Sequence, residues 1–155
     1  MKKIILGIDP GLKNFGYAVI EIGNSLELIC AGEISTEKSD KNRLAKIYRA
    51  VCDLIRSYNP DMCAIEKTFV NNNPLSSLNL GQARGVLLLS FQMFNKPYKE
   101  IAPNQIKKTI CGIGTAEKID IQNYVKGLFN VSLNHNASDA IAICLCVTKE
   151  DFLSI

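Results

Sequence analysis

The spacing of apolar residues divides this chain into strands and helices before any chemistry is considered. Ile4-Ile5-Leu6-Gly7-Ile8 is an unbroken run rich in β-branched residues, the pattern of a strand buried on both faces, and it ends at Asp9. Pro10-Gly11 marks a turn. Gly16 to Ile22 and Leu26 to Ile34 then predict two further strands, joined as a hairpin across Gly23-Asn24. Leu44, Ile47, Tyr48, Val51, Leu54, Ile55 and Tyr58 recur on one helix face, and Asn59-Pro60 stops that helix. Met62 to Glu66 predicts a short fourth strand. After the polar Asn71-Asn72-Asn73 loop, Pro74 stands where a first-turn proline opens a long helix to about Phe94. Pro97 to Ile101 predicts a fifth strand, and helices follow: a short one after Pro103, one with Thr115 as N-cap, and a last one from about Ala137 through Val147. This order implies a mixed five-stranded sheet, the first three strands antiparallel and the later ones parallel through helical crossovers. The expected fold is a three-layer α/β domain flanked by helices.

Length adds one constraint: 155 residues against a prior of roughly 150 per domain leave room for a single domain over residues 1–155. Apolar residues at 47% and charged residues at 21% fit one globular core and exclude a disordered tail. The net charge of +3 is too small to announce a polyanion-binding protein, so the placement of the basic residues must decide that. Cys30, Cys52, Cys63, Cys111, Cys144 and Cys146 form no C-x-x-C pair and lie mostly in apolar runs, which reads as reduced core thiols. Lys2 and Lys3 precede an apolar stretch that Asp9 interrupts too soon for a signal-peptide core. The longest uncharged apolar window, Val86 to Asn95, is far below the ~20 residues of a membrane span. A soluble cytoplasmic protein with no membrane partner is expected.

The chemistry collects on three acids. Asp9 ends the first strand and Glu66 ends the fourth, so two carboxylates emerge at the carboxyl edge of what are expected to be neighbouring strands, where open α/β sheets bind ligands. Asp139 lies in the expected first turn of the last helix, among small apolar residues that suit close packing on the sheet. Carboxylates converging from three elements repel one another unless a cation lies between them, and hard oxygen donors suit Mg²⁺ or Mn²⁺. Taken singly, each acid also has an ordinary reading: a turn residue, an exposed strand end, and a helix-start acid favoured by the macrodipole.

In combination the motifs carry more. Ile8-Asp9-Pro10-Gly11, Ala64-Ile65-Glu66 with Phe69, Leu80-Gly81-Gln82-Ala83-Arg84-Gly85, Ile113-Gly114-Thr115-Ala116-Glu117-Lys118 and Ser138-Asp139-Ala140 resemble, in this order, the motifs of RuvC-type Holliday junction resolvases. The similarity spans nearly the whole chain. Asp-x-Gly alone is weak, since relatives of actin carry it to bind ATP phosphates, but such phosphotransferases need two lobes and this chain has length for one. The resemblance implies a ribonuclease-H-like fold and a homodimer. It implies Mg²⁺-dependent incision of two like-polarity strands of a four-way DNA junction in recombination and repair, together with a RuvA–RuvB type branch-migration complex. Asp9, Glu66 and Asp139 would carry two ions of the two-metal scheme, which needs no covalent nucleophile.

One position departs from the pattern. Family members complete a tetrad with an acid, in some a histidine, three residues before the last Asp, and here that position is Asn136 with His135 beside it. Both share the face of Asp139 if the helix reaches them, so the fourth ligand stays open between them. The substitution is expected to weaken the second metal and to shift preference toward Mn²⁺. It also leaves a second reading, a degenerate protein that grips junctions and cuts poorly.

Lys107 and Lys118 match basic positions that the family places near the scissile phosphate, with Lys108 beside the first and Lys67 beside Glu66. Lys118 in the first turn after a Thr115 cap would oppose the helix dipole, a local cost that favours a functional role. Its ammonium and the turn's N–H groups would face a phosphate. Phe69, three residues past Glu66, is placed to stack on an unpaired base at the exchange point. Ser77, Gly81 and Gly85 make a small-residue ridge that calls for close packing, and the resemblance puts the dimer contact on this helix. Arg84 reads equally as an ion-pair residue or a junction contact.

Overall fold

The computed structural model describes residues 2–37, 39, 41–69 and 72–151. Asn71 of the anticipated polar loop and residues 152–155 of the anticipated domain lie outside that set. The elements are β1 (Lys3–Asp9), β2 (Asn14–Ile22), β3 (Leu26–Ser35), α1 (Arg43–Tyr58), β4 (Met62–Glu66), α2 (Pro74–Met93), β5 (Tyr98–Ile101), α3 (Pro103–Cys111), α4 (Lys118–Phe129) and α5 (His135–Asp151). The sheet order is β3-β2-β1-β4-β5, with β1–β2 and β2–β3 antiparallel and β1–β4 and β4–β5 parallel. The chain therefore leaves central β1 toward one edge, then returns through α1 to build the other, which makes the β1/β4 boundary the topological switch point.

Local chemistry sets the element ends. Asn59 takes a left-handed conformation (φ 44°) and its N–H caps the Ile55 carbonyl, so α1 stops there. Pro74 opens α2 behind Asn73, whose side chain accepts from the Leu75 and Ser76 N–H groups.

Two cores flank the sheet. Leu6, Ile8, Phe15, Val19, Cys63 and Ile65 face α1 and α2, while Ile5, Ala18, Ile20, Ala64 and Ile101 face α3, α4 and α5. Alternation along each strand assigns Asp9 and Glu66 to the second face. Helix α5 runs through that core and is buried from Ala140 to Thr148, which its nearly all-apolar surface requires. It lies directly on the strands because of two glycines. A Cβ at Gly7 would stand 2.5 Å from both the Ala140 carbonyl oxygen and the Cys144 Sγ, and one at Gly16 would overlap the Asn136 carbonyl. The first turns of α5 are thereby pressed onto β1 and β2 beside Asp9.

Two expectations need correction. Helix α4 is capped by Glu117, not Thr115, in a reciprocal box with Asp120. Helix α5 starts at His135, two residues earlier than expected, because Asn134 Oδ1 accepts the Ala137 N–H at 2.9 Å. This puts Asp139 in the second turn rather than the first. Among the described residues nothing packs against Gly81 or Gly85, since an added Cβ at either would meet no atom within 4 Å.

Candidate active site at the carboxyl edge of the sheet

Asp9 and Glu66 end parallel neighbours whose last paired residues are Ile8 and Ile65, so the two acids form the next rung on one face. Asp139 comes down from α5, and Pro103, Ile106, Ile121 and Ile143 wall the space between, together with Lys107 and Lys118. The cleft encloses about 100 Å³. The structure thus brings five predicted residues, Asp9, Glu66, Asp139, Lys107 and Lys118, into one place.

Their electrostatics follow from the geometry. Burial, reinforced by the charges of Glu66 and Asp139, pushes Asp9 up to about 8, and it hydrogen-bonds to Glu66. Glu66 is raised by burial and by Asp139, against opposition from Lys118 and Lys107. Asp139 is raised by burial, while Lys118, His135 and Lys107 pull the other way. Lys118 Nζ lies 3.7 Å from Asp139 Oδ2. Three desolvated carboxylates that hold protons above their ordinary range make a donor set that a hard divalent cation would relieve. Among the described residues, no three His, Cys, Asp or Glu side chains already close around one point. The donor chemistry fits Mg²⁺ or Mn²⁺.

Of the two candidates for a fourth ligand, His135 is exposed at the start of α5, and Asn136 is half-buried with its amide Nδ2 2.5 Å from Glu33 Oε2. Lys118 is the first residue of α4. The Asp120 N–H is taken by the Glu117 side chain, so the N–H groups expected to face a phosphate are not all available. The two capping carboxylates offset the cost of placing a lysine at a helix N-terminus. Lys107 is half-buried at the cleft, while Lys108 points outward and is exposed. Phe69 is 62% exposed beyond β4, and Lys67 beside Glu66 is exposed too. Arg84 forms an ion pair with Glu100 at 2.5 Å. Glu100 pairs with Ile65 on the face opposite the cleft, so of the two roles left open the structure shows the ion pair. Burial pushes the thiols of Cys63 and Cys144 well up, which removes both as nucleophiles at neutral pH.

Residues 5–147 match the family described as crossover junction endodeoxyribonuclease RuvC. The chain belongs to the RuvC family. Relatives bearing that description include those of Hydrogenovibrio crunogenus, 43% identical over 93% of this chain and 86% of theirs. The relative from Ruegeria pomeroyi is 42% identical over 92% and 88%. Among solved structures, Thermus thermophilus RuvC in complex with a Holliday junction substrate superposes with a TM-score of 0.85 over 93% of this chain and 92% of that one. At 24% identity, that likeness shows the RuvC fold.

Sequence reasoning missed Glu33. It lies on β3 opposite Gly16, which is in turn opposite Asp9, and it receives hydrogen bonds from Asn136, Asn134 and Ser35. Its pairing with Gly16 depends on a register shift between Val19 and Ile20 that the sequence pattern does not signal.

Proposed function

We propose that this chain resolves four-way (Holliday) DNA junctions by metal-dependent hydrolysis of phosphodiester bonds in two strands of like polarity, as a homodimer acting in recombination and repair. What carries the reading is the meeting of Asp9, Glu66 and Asp139 with Lys107 and Lys118 in one cleft of a RuvC-family chain. Asp9, Glu66 and Asp139 would hold Mg²⁺, with Mn²⁺ as a substitute and Asn136 or His135 as further ligand. Bound there, the metal would supply Lewis-acid chemistry for activating a water and for stabilising charge on the leaving oxygen, in a two-ion scheme if both positions fill. Lys107 and Lys118 present ammonium groups to the scissile phosphate and neutralise its charge. The apolar wall of Ile106, Ile121 and Ile143 limits water around them, which strengthens each of these interactions.

Phe69, exposed three residues past Glu66, stacks on a base left unpaired at the exchange point, an interaction worth ~1–3 kcal/mol. Lys67 and Lys108 add phosphate contacts. A second copy docks on α2, where Leu75, Leu78, Leu89 and Met93 are 66%, 61%, 49% and 62% exposed in a stripe with Gly85. An apolar stripe on an outward helix face supports an isologous contact, and bare glycines let two such helices approach closely. The described residues contain no helix long and apolar enough to cross a membrane. We place the protein in the cytoplasm, supplied with junctions by a RuvA–RuvB type branch-migration complex.

The reading of a chain that grips junctions without cutting has no observation in its favour. Incision of a synthetic four-way junction beside linear duplex of the same sequence tests the proposal. Nicks are expected at the junction alone, abolished by EDTA and by Asp139→Asn. Equal cutting of duplex, or cutting that survives EDTA, would contradict it.

A further inference from the structure

Asn136 poses a problem of chemistry. An acid offers two equivalent oxygens to a cation, whereas an amide offers one oxygen and one NH₂ that repels it. An asparagine at a metal site therefore needs something to choose which end faces inward.

Glu33 is placed to make that choice. Asp9, Gly16 and Glu33 form one rung across β1, β2 and β3, and directly paired residues project on the same face. The first turn of α5 is seated on the middle of this rung, because Gly16 has no side chain to exclude the Asn136 backbone. The Asn136 backbone thus lies over the middle of a rung that has Asp9 at one end and Glu33 at the other. Its Nδ2 donates to Glu33 Oε2 at 2.5 Å. Glu33 is itself held: the same oxygen accepts Asn134 Nδ2 at 3.2 Å, and Oε1 accepts Ser35 Oγ at 3.2 Å. Asn134 is fixed in turn by its other end, which caps Ala137. An ionised carboxylate only accepts, so it bonds the NH₂ of Asn136 and turns the carbonyl oxygen away from itself.

We infer that Glu33 is a positioning residue that orients the Asn136 amide so that its Oδ1 is offered to the acidic cleft. The inference rests on the metal-site reading given above. Glu33 also stands one hydrogen bond behind the position where the family carries an acid, and its charge polarises the amide and makes Oδ1 a better donor. This sets a condition on repairing the site: Asn136→Asp would place two carboxylates in contact while Glu33 remains.

The test is Mn²⁺ binding to the full chain, followed by electron paramagnetic resonance of the free ion, with melting curves to confirm folding. Glu33→Ala is expected to weaken binding about tenfold, the lower end of what loss of a ligand's hydrogen-bond partner costs. Glu33→Gln, whose carbonyl accepts the same bond, is expected to stay within about threefold of wild type. Asn136→Ala should match Glu33→Ala, and the two combined should be no worse than either, because one acts through the other. Two isosteric changes keep the test open if Glu33→Ala fails to fold: Asn136→Asp should bind Mn²⁺ more tightly in a Glu33→Gln background than beside Glu33. Mn²⁺ binding that is lost in Asp9→Asn yet indifferent to Glu33 would overturn the inference and leave the metal site standing. Binding no tighter in wild type than in Asp9→Asn would overturn both.

Discussion

The acids of the cleft destabilise the fold that holds them, and Asp9 is the clearest case. Its proton is retained up to about 8, whereas the ordinary carboxylate value is 3.8. Between those values the folded state binds more protons than the unfolded chain, so in EDTA stability falls as pH rises from about 4 to about 8 and then levels. Asp9→Asn removes this penalty. In EDTA at pH 8 the variant is expected to melt about 5 °C above wild type, for a gain on the order of 2 kcal/mol, with the gap closing toward pH 4. Calorimetry across that range checks it, and a gap that widens toward low pH would reverse the sign of the argument. Lys118→Ala tests the other charge. Single-turnover incision is expected to fall about a hundredfold, as for loss of one group that stabilises transition-state charge. Junction affinity, spread over many phosphates, should change only a few-fold. Asp9 and Glu66 were legible in the sequence because each ends an otherwise apolar strand. The role of Arg84 was not, because its partner Glu100 is brought to it only by the pairing of β4 with β5.

At the scale of elements, the proposed dimer would give α2 two separate duties, stabilising one copy and joining two. Among the described residues nothing meets a Cβ built at Gly85, so Gly85→Ala should raise the stability of the monomer by about 1 kcal/mol through helix propensity. The same methyl group should loosen a close contact between copies. Sedimentation of this variant and of Leu78→Glu is expected to shift both toward monomer, with folding intact; a dimer unaffected by Leu78→Glu would move the contact off this face. The extents of β1, α1, β4 and α2 were legible because periodicity and Pro, Asn and Gly signals agreed there. Two features were not. Thr115 is the stronger N-cap residue by preference, but the Glu117–Asp120 box captures the helix start instead. Glu33 was hidden by a register shift at Val19/Ile20: Ile20 pairs with Leu28 and Val19 with Cys30, which leaves Ile29 as an extra residue. Counted straight from the hairpin, Gly16 would pair with Gly32 and Glu33 would face away from Asp9. One bulge moves that acid to the other side of the sheet.

At the scale of the molecule, a net charge of +3 is little for a protein that grips DNA, and in the proposed dimer the basic residues of both copies would line one surface. Junction binding is therefore expected to weaken steeply with salt, by a factor of roughly 10³ between 50 and 200 mM if about six phosphates are neutralised. A flat dependence, read by fluorescence anisotropy, would remove that picture. The overall architecture was legible because strand order and crossover rules leave few ways to assemble these elements. Paired incision would require two such clefts in one assembly. A supercoiled plasmid that extrudes a cruciform reads it directly, because two incisions made within one encounter give linear DNA, while a single incision relaxes the cruciform and leaves a nicked circle. With Mg²⁺ the wild-type chain is expected to give linear product, and Asp9→Asn none. Nicked circles alone would contradict paired incision by two copies of this cleft.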